Sequence, residues 1–350
     1  MDDRPAVLLR LDGGSGIGSG HVVRCAAVAS ELGALGVRSV AVVSTCDSAS
    51  MARARGLDAV VVGGDPLSLG ARDAEALASL AGDRGRVAAL VDSYGAGDAF
   101  WDVLGPLAKA SGVPLALIDD RYLFGMGLLP TPRRRPVGLV VSYGFDAVKA
   151  DYEAAYRGSG ASVLVGPRFA PVRPGFSVSE RRRAGEVSRV LVTTGSTNPG
   201  GSLERLCAAC ALSVPGAVLD VVVGSGSSFD ETSLGGSEGV VHRGLSDLAP
   251  LMRRADLAVS AGGSTLYELA CMGVPTVAVP VVENQEGNVR GFDWLGCGLA
   301  SSLDSAPSVV ARAAGDRALR ERLSVRGRSL VDGRGAKRIA RALASLLGAM

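Results

Sequence analysis

Near its start the chain reads Ala6-Val-Leu-Leu-Arg-Leu-Asp-Gly-Gly-Ser-Gly-Ile-Gly-Ser-Gly-His21, and a helical apolar pattern follows over residues 22–35. The run 6–11 has the length and composition of a buried strand, whereas the longer run has helical spacing. A buried strand that leads through a glycine-rich turn into a helix is typical of the opening of a parallel α/β sheet. This stretch therefore predicts the fold class.

The same alternation of strand-length apolar runs and helical patterns continues to the end of the chain. Such Val-, Leu- and Ile-rich strands predict parallel sheets that are covered on both faces. Predicted strands lie at residues 6–11, 37–43, 60–62, 87–91, 113–118, 137–141, 190–194, 217–223, 239–242, 257–260 and 275–282. Predicted helices lie at residues 22–35, 71–80, 99–110, 146–156, 203–212, 248–254, 265–272, 287–295 and 337–347.

The length of 350 residues favours two domains, because single cores stop growing at roughly 250–300 residues. A proline-containing stretch at 168–176 and a charge run at 180–186 indicate a linker. We expect an N-terminal Rossmann-like domain over residues 1–170, a linker over 171–188 and a C-terminal Rossmann-like domain over 189–350. Two doubly wound α/β domains of this kind are expected to face each other across a cleft.

The charge balance argues against a nucleic-acid partner. The chain has 37 basic and 35 acidic side chains and a net charge of +2, whereas nucleic-acid binders need a basic surface. The first apolar run is far too short for a signal peptide core or a membrane span, so we expect a cytoplasmic protein without a membrane partner, as a monomer or weak dimer. Six cysteines in 350 residues do not form a disulfide framework, and Cys207 and Cys210 are expected to be core residues.

The glycine-rich turn before His21 is a candidate ligand site. Its glycines, including Gly18 and Gly20, let a backbone approach a ligand closely, and the following helix start favours an anion such as a phosphate. His21 is suited to act as a general acid, a general base or a cation beside the phosphate, although a purely capping histidine is the alternative. His242 ends a short strand, where a structural role is favoured.

Two further segments place polar residues after predicted strands of the second half. The turn Gly262-Gly-Ser-Thr265 could hold a diphosphate, with Glu268 accepting from ribose hydroxyls. The cluster Glu283-Asn-Gln-Glu286 could recognise a sugar or position a water. Glycine turns and polar caps also occur in any doubly wound domain, which is the structural alternative for both segments.

In the first half, Asp92-Ser-Tyr94 and the pair Asp119-Asp120 also follow predicted strands, and the paired acids could simply cap the next segment. With two histidines far apart and no metal-ligand spacing, neither a metal site nor a cofactor is predicted.

Taken together, these motifs resemble the UDP-sugar hydrolases of pseudaminic acid biosynthesis, within the two-Rossmann GT-B nucleotide-sugar superfamily. The resemblance rests on residues 9–12 with 17–24, on 91–95, 118–120, 165–176 and 260–268, and on the Glu-Asn-Gln-Glu cluster at 283–286. The 260–268 segment is also shared with wider glycosyltransferases.

This resemblance implies water attack at the anomeric carbon of UDP-2,4-diacetamido-2,4,6-trideoxy-β-L-altropyranose, with inversion and without a metal. His21 would be the catalytic base, Asn284 would place the water and Tyr94 would contact the sugar and phosphates. The implied substrate-binding residues are Asp12, Gly18, Gly20, Arg24, Asp92, Gly262, Gly263, Ser264, Thr265, Glu268 and Gln285. The alternative is an inverting UDP-sugar glycosyltransferase with a small-molecule or lipid-linked acceptor, for which residues 123–129 could form an apolar patch or simply be core.

Overall fold

The computed structural model describes residues 4–14, 17–82, 86–119, 133–176, 185–224, 227–245 and 247–348. The chain forms two compact units. The first unit contains Met1–Tyr143, Ala147–Arg173 and Arg334–Met350, and the second contains Gly144–Asp146 and Pro174–Gly333. Several sequence predictions lie outside the described residues, namely Ser15 and Gly16 of the glycine turn, Asp120, the apolar segment 123–129 and much of the predicted linker.

The first unit is built around a parallel sheet whose strand order is β3-β2-β1-β4-β5-β6-β7. Its strands are β1 (Ala6–Leu11), β2 (Arg38–Val43), β3 (Asp58–Val61), β4 (Val87–Asp92), β5 (Leu115–Ile118), β6 (Leu139–Ser142) and β7 (Ser162–Val165). Its helices are α1 (Gly20–Ala34), α2 (Cys46–Arg53), α3 (Ala71–Gly82), α4 (Asp98–Ala110), α5 (Lys149–Ala155) and, from the end of the chain, α12 (Gly335–Leu346).

Strands β1 and β4 are buried along their whole length, as their continuous apolar sequences predict. The core beside them includes Leu8, Val42, Leu77 and Phe100.

The second unit has a parallel sheet with the strand order β10-β9-β8-β11-β12-β13. Its core includes the predicted buried pair Cys207 and Cys210 together with Val192 and Leu257. Its strands are β8 (Arg189–Thr193), β9 (Val218–Val223), β10 (Gly239–Arg243), β11 (Leu257–Ala261), β12 (Thr276–Val279) and β13 (Leu299–Ala300). Its helices are α6 (Ser202–Ser213), α7 (Ala249–Arg254), α8 (Thr265–Met272), α9 (Glu286–Trp294), α10 (Ala306–Gly315) and α11 (Arg317–Leu330).

Chain order reverses at one point in each sheet. In the first unit β1 pairs on one side with β2 and on the other with β4. In the second unit β8 lies between β9 and β11 in the same way. The loops that leave the carboxyl ends of two such strands diverge to opposite faces of the sheet, and the crevice between them is where α/β proteins bind ligands. The fold therefore directs attention to the loops after β1, β4, β8 and β11.

The observed architecture differs from the sequence prediction in two respects. Helices α2, α10 and α11 and strands β7 and β13 were not predicted. The end of the chain, Arg334–Met350, groups with the first unit, whereas the sequence placed it in a domain over 189–350. The reason is that α12 packs against α1 and buries Ile339 and Leu343 in the process. Within the described residues, no helix is long and apolar enough to cross a membrane.

Candidate active site

His21 and Asp92 meet at the chain reversal of the first sheet. His21 is the second residue of α1, which follows β1 through the glycine turn, and Asp92 is the last residue of the neighbouring β4. The His21 Nδ1 atom lies 2.8 Å from Asp92 Oδ1. Both side chains are buried, with 2% of His21 and none of Asp92 exposed. A buried imidazole held by a carboxylate through one nitrogen is an arrangement suited to proton transfer through the other.

Arg24 completes this cluster from the next turn of α1, three residues beyond His21. Its Nε atom donates to Asp92 Oδ2 at 2.6 Å, and its Nη2 atom contacts Asp92 Oδ1. Nη1 donates to the Tyr143 hydroxyl at 2.9 Å, and Nη2 lies 2.6 Å from His21 Nδ1. The Cys25 thiol also donates to Asp92 Oδ2, at 3.2 Å. The carboxylate is thus surrounded by donors on α1.

The cluster keeps Asp92 ionised. Burial by itself would raise the pKa of this carboxyl, but the charge of Arg24 and the hydrogen bonds from Arg24 and His21 outweigh it and hold the pKa well below its usual range. The negative charge is therefore present across the whole neutral range. His21 Nδ1 therefore faces a carboxylate that stays negatively charged.

The second imidazole nitrogen of His21 has no hydrogen-bond partner among the described residues. Among the described residues, His21 Nε2 is one of four buried side-chain polar atoms without a hydrogen bond. The Tyr94 ring packs edge-on against the imidazole, with 4.4 Å between ring centroids and an interplanar angle of 75°. Tyr94 itself is 38% exposed. Buried polar atoms are normally paired, so an unpaired ring nitrogen beside a half-exposed tyrosine indicates a functional position.

Asp12 lies close by in sequence, but its carboxylate is engaged inside the protein. Its Oδ2 accepts from Arg10 Nη1 at 2.7 Å and from the Ser44 hydroxyl at 3.0 Å, while Oδ1 accepts from the Ser44 amide at 2.7 Å. Arg10 is completely buried and also donates to Ser44 Oγ at 2.6 Å. These contacts join the ends of β1 and β2, so the geometry supports a structural role for Asp12 in place of the expected substrate contact.

The glycine turn is also closed by internal hydrogen bonds. Gly14 and Gly18 exchange amide-to-carbonyl bonds of 3.1 and 2.8 Å, and both have the positive φ angles, 134° and 80°, that favour glycine. The Ser48 hydroxyl on α2 donates to Gly13 O at 2.8 Å and contacts Gly13 N at 3.1 Å. Gly20 begins α1, whose N-cap residue provides no side-chain cap. Among the described residues of this turn, the amides available to a ligand are therefore those at the helix start.

In the second unit, the turn after β11 combines occupied and available amides. Gly262 N donates to Gln285 Oε1 at 3.1 Å, and the Gln285 oxygen also accepts from Val281 N at 3.0 Å. Helix α8 then starts without a side-chain cap from Ser264. Its first amides, at Ser264 and Thr265, have no intrahelical acceptor. Gln285 therefore links the residues that follow β11 and β12. The start of α8 has the geometry of an anion site.

Asn288 was not among the predicted site residues, yet it organises this region. Its Nδ2 donates to Gly262 O at 2.8 Å, and its Oδ1 accepts from the Tyr267 hydroxyl at 2.7 Å. The Tyr267 ring stacks on Phe145, with centroids 4.4 Å apart and planes within 6°. The sequence signal was present, since Asn288 lies two residues beyond the polar cluster 283–286 that follows the strand at 275–282.

The remaining predicted residues of the second unit lie around α8 and α9. Glu268 lies in the first turn of α8 and is half-buried. Gly263 has open space where a Cβ would lie, in contrast to Gly262. Asn284 is exposed in a short 3-10 turn over Glu283–Gln285 that precedes α9. The structure thus groups Gly262, Gly263, Ser264, Thr265 and Gln285 at one turn.

His242 has a buried hydrogen-bond partner, Asp220, that accounts for a structural role. Its Nε2 lies 2.8 Å from Oδ1 of Asp220, a fully buried carboxylate on β9 that also accepts from Arg189 at 2.9 Å and Arg254 at 2.5 Å. Burial raises the pKa of Asp220, but hydrogen bonds from Arg254, His242 and Arg189 lower it overall. The structural role favoured for His242 agrees with this network. Among the described residues, no group of His, Cys, Asp and Glu is arranged to hold a metal.

Tyr143 is a second residue that sequence reasoning did not assign to the site. It directly follows β6, so it leaves the same edge of the sheet as Asp92. Its contact with Arg24 spans 119 residues of chain, and chain order alone does not show which strands are neighbours. A tyrosine one residue beyond a buried strand was the available signal.

No protein-family model matches the chain. The spore coat polysaccharide biosynthesis protein SpsG of Bacillus subtilis (strain 168) is 36% identical over 106 residues, or 29% of this chain. That alignment covers 31% of SpsG, so the chain matches less than a third of the length of this curated relative.

Two solved structures match over nearly the whole chain. The calicheamicin glycosyltransferase CalG4 has a TM-score of 0.67 at 20% identity and covers 99% of both chains. LpCGTa, solved in complex with UDP, has a TM-score of 0.68 at 16% identity and covers 98% of this chain and 99% of its own. At these identities the likeness concerns the fold. The chain has the GT-B fold of two Rossmann-like units, as the sequence predicted.

Proposed function

We propose that this protein hydrolyses a UDP-activated amino or deoxy sugar at its anomeric carbon, with His21 as the base that activates water. The observation that carries the proposal is the unpaired, buried His21 Nε2, whose opposite ring nitrogen is held by Asp92. The motif resemblance to UDP-sugar hydrolases and the polysaccharide-biosynthesis name of SpsG support a nucleotide-sugar substrate. Such a product would serve the biosynthesis of a pseudaminic-acid-like sugar.

The imidazole works as a base in one tautomer. Asp92 is ionised, so a proton on His21 Nδ1 points at its Oδ1 atom, and the lone pair is then on Nε2. As a water oxygen bonds to C1 of the sugar, the C1–O bond to the β-phosphate breaks and its electron pair leaves with UDP. The water proton passes to Nε2, and the imidazolium that forms is stabilised by Asp92. Attack opposite to the leaving group inverts the anomeric configuration.

The second unit holds the nucleotide in this proposal. The uncapped start of α8 offers the amides of Ser264 and Thr265, and the positive end of the helix dipole favours the diphosphate. Negative charge grows on UDP as it leaves, so the same donors stabilise the transition state. Glu268, in the first turn of α8, would accept hydrogen bonds from the ribose hydroxyls. The choice of uridine is supported by LpCGTa, which was solved with UDP.

The second candidate function is glycosyl transfer with inversion. A base at His21 Nε2 could remove a proton from an acceptor hydroxyl as readily as from water. CalG4, which shares the fold, is the calicheamicin glycosyltransferase. The two functions differ in whether turnover needs an acceptor.

The deciding experiment is incubation with a panel of UDP-sugars and the matching dTDP-sugars in oxygen-18 water with EDTA and no acceptor. The panel includes UDP-2,4-diacetamido-2,4,6-trideoxy-β-L-altropyranose, and NMR and mass spectrometry follow the products. Hydrolysis predicts free sugar of inverted configuration that carries the label at C1. Label in UDP would contradict attack at carbon, and turnover that appears only with an added acceptor would establish the transferase.

The role of the histidine is tested with His21→Gln, for which kcat should fall by about 10²–10⁴, the contribution of a general base. His242→Gln is the matched control, because it removes the other of the two histidines of the chain. Circular dichroism confirms that both variants fold. Full turnover by His21→Gln would refute the catalytic role.

A further inference from the structure

Arg24 is placed to control the charge of the imidazole next to it. Its Nη2 atom lies 2.6 Å from His21 Nδ1 and also contacts Asp92 Oδ1. Only 7% of the Arg24 residue is exposed, so solvent screens its charge weakly. Its other nitrogens are taken by Asp92 and by the Tyr143 hydroxyl. These contacts lie within the protein, unlike the substrate contact that the sequence resemblance implied.

Nδ1 of His21 has two neighbours, and they favour opposite protonation states of this atom. Asp92 Oδ1, at 2.8 Å, can only accept a hydrogen bond, whereas a guanidinium can only donate one. If Nδ1 carried its lone pair, that lone pair would face the carboxylate lone pairs across 2.8 Å. If Nδ1 carries the proton, it donates to Oδ1, and Arg24 keeps carboxylate and hydroxyl acceptors of its own. The second arrangement gives the carboxylate and the guanidinium partners of opposite charge, and the contact it leaves unfavourable is the one between the Nδ1 proton and Arg24 Nη2, at 2.6 Å.

We infer that Arg24 is a positioning residue that holds His21 neutral, with its proton on Nδ1 and its base lone pair on Nε2. The inference deepens the proposed function, on which its catalytic meaning rests. Two effects act in the same direction. The guanidinium charge repels a second positive charge on the imidazole. The hydrogen bonds from Arg24 to Asp92 also partly neutralise the carboxylate that would otherwise stabilise an imidazolium.

The charged and titratable groups around His21 are few among the described residues. Asp92 faces it from β4, and Arg24 faces it from the next turn of α1. The Cys25 thiol and the Tyr143 hydroxyl bond to these two groups, and the Tyr94 ring lies against the imidazole edge. Arg24 is therefore the cation whose removal should change the titration of this histidine.

The test uses the full-length protein, labelled with nitrogen-15 histidine and without substrate. The chain has two histidines, so a long-range proton–nitrogen spectrum contains two imidazoles, and His21→Gln assigns them. In the wild type we expect His21 at pH 8 to show a protonated Nδ1 and an unprotonated Nε2. In Arg24→Gln we expect the midpoint of its titration to move up by about one pH unit, a tenfold gain in proton affinity.

Several controls separate charge from structure. The His242 signal is an internal reference that should stay in place, because its partner is Asp220. Arg72→Gln removes an exposed arginine of the same unit and should leave both midpoints unchanged. Arg24→Lys retains the charge and should shift the midpoint by less than a third of a pH unit. If Arg24→Gln does not fold, the wild-type tautomer and the lysine variant still decide the matter.

The outcomes are distinct from those of the proposed function, because the spectra need no substrate. A wild-type His21 with its proton on Nε2 would overturn the inference, as would an unchanged or lowered midpoint in Arg24→Gln. A lysine variant that shifts as far as the glutamine variant would overturn the role of the charge. Where turnover is measurable, the acid limb of kcat should move up in pH by the same amount in Arg24→Gln. A rise confined to KM would instead indicate a substrate contact.

Discussion

Replacement of Asp92 by asparagine tests whether the first unit depends on a buried charge. Asp92→Asn keeps the shape of the side chain but removes the negative charge that Arg24 contacts. Arg24 is 7% exposed and contacts the Asp92 carboxylate through Nε and Nη2, so the substitution removes a close negative partner of a buried cation. Removal of one partner of a buried ion pair costs about 3–5 kcal/mol. We expect a loss of that size in the free energy of unfolding of the first unit.

The assay follows one tryptophan during urea unfolding. The chain has two, and Trp294 is 86% exposed, whereas Trp101 is 3% exposed in the core of the first unit. In a Trp294→Phe background, fluorescence therefore reports on the unit that contains Asp92. Asp58→Asn, at an exposed position of β3, is the matched control and should change stability by less than about 0.5 kcal/mol.

The pH dependence gives the prediction its sign. The pKa of Asp92 is lower in the folded protein than in the unfolded chain, so its stabilising effect is complete above the unfolded value of about 3.9. As pH falls below about 4, the folded protein must still keep the carboxylate ionised while the unfolded chain takes up a proton. The difference between wild type and Asp92→Asn should therefore shrink with acid. A loss below about 1 kcal/mol at pH 7, or one that is independent of pH, would refute the reasoning.

Two further substitutions separate structural from ligand-binding roles. Asp12→Asn removes the 2.7 Å ion pair of the fully buried Arg10, which keeps a longer contact of 3.6 Å with Asp73, so we expect a loss of about 3 kcal/mol in urea unfolding and a KM within about twofold of wild type. A large rise in KM without loss of stability would restore the substrate contact. In Gly262→Ala the new Cβ would lie 2.5 Å from Val289 Cγ2, so overpacking should cost the second unit about 1–3 kcal/mol in thermal unfolding. Gly263→Ala meets no atom within 4 Å and is the control, and equal losses from both would contradict the steric argument.

Much of the fold could be predicted because its signals are local. The strand β1 and the helix α8 were predicted with the bounds that the structure has. Helix α11 was not predicted, because arginines and other polar residues fill most of its sequence. Its apolar face is narrow, with Leu319 and Leu323 buried. A narrow apolar stripe among charges is the weakest helical signal, and the packing of α11 against α8 supplies what the sequence pattern lacks.

The candidate site could be predicted in its parts but not in its connections. His21 and Asp92 were singled out because each follows or ends a predicted strand. Their hydrogen bond depends on β1 and β4 being neighbours, and 71 residues separate the two side chains in the chain. Arg24 and Tyr143 are 119 residues apart for the same reason. Strand order is a long-range property, so residue pairing at the carboxyl edge of the sheet requires the three-dimensional structure.

The predicted ligand contacts fall into two classes according to their hydrogen bonds. Asp12 and the oxygen of Gln285 have protein partners that occupy them, so they hold the site in shape. His21 Nε2 and the first amides of α8 have no such partner in the described chain. A buried polar atom left unpaired costs about 1–3 kcal/mol of stability. At His21, where the opposite ring nitrogen is held by an ionised carboxylate, a water or a ligand hydroxyl would supply the hydrogen-bond donor that Nε2 lacks. The unpaired nitrogen of His21 is therefore the strongest structural argument that this end of the first sheet performs chemistry.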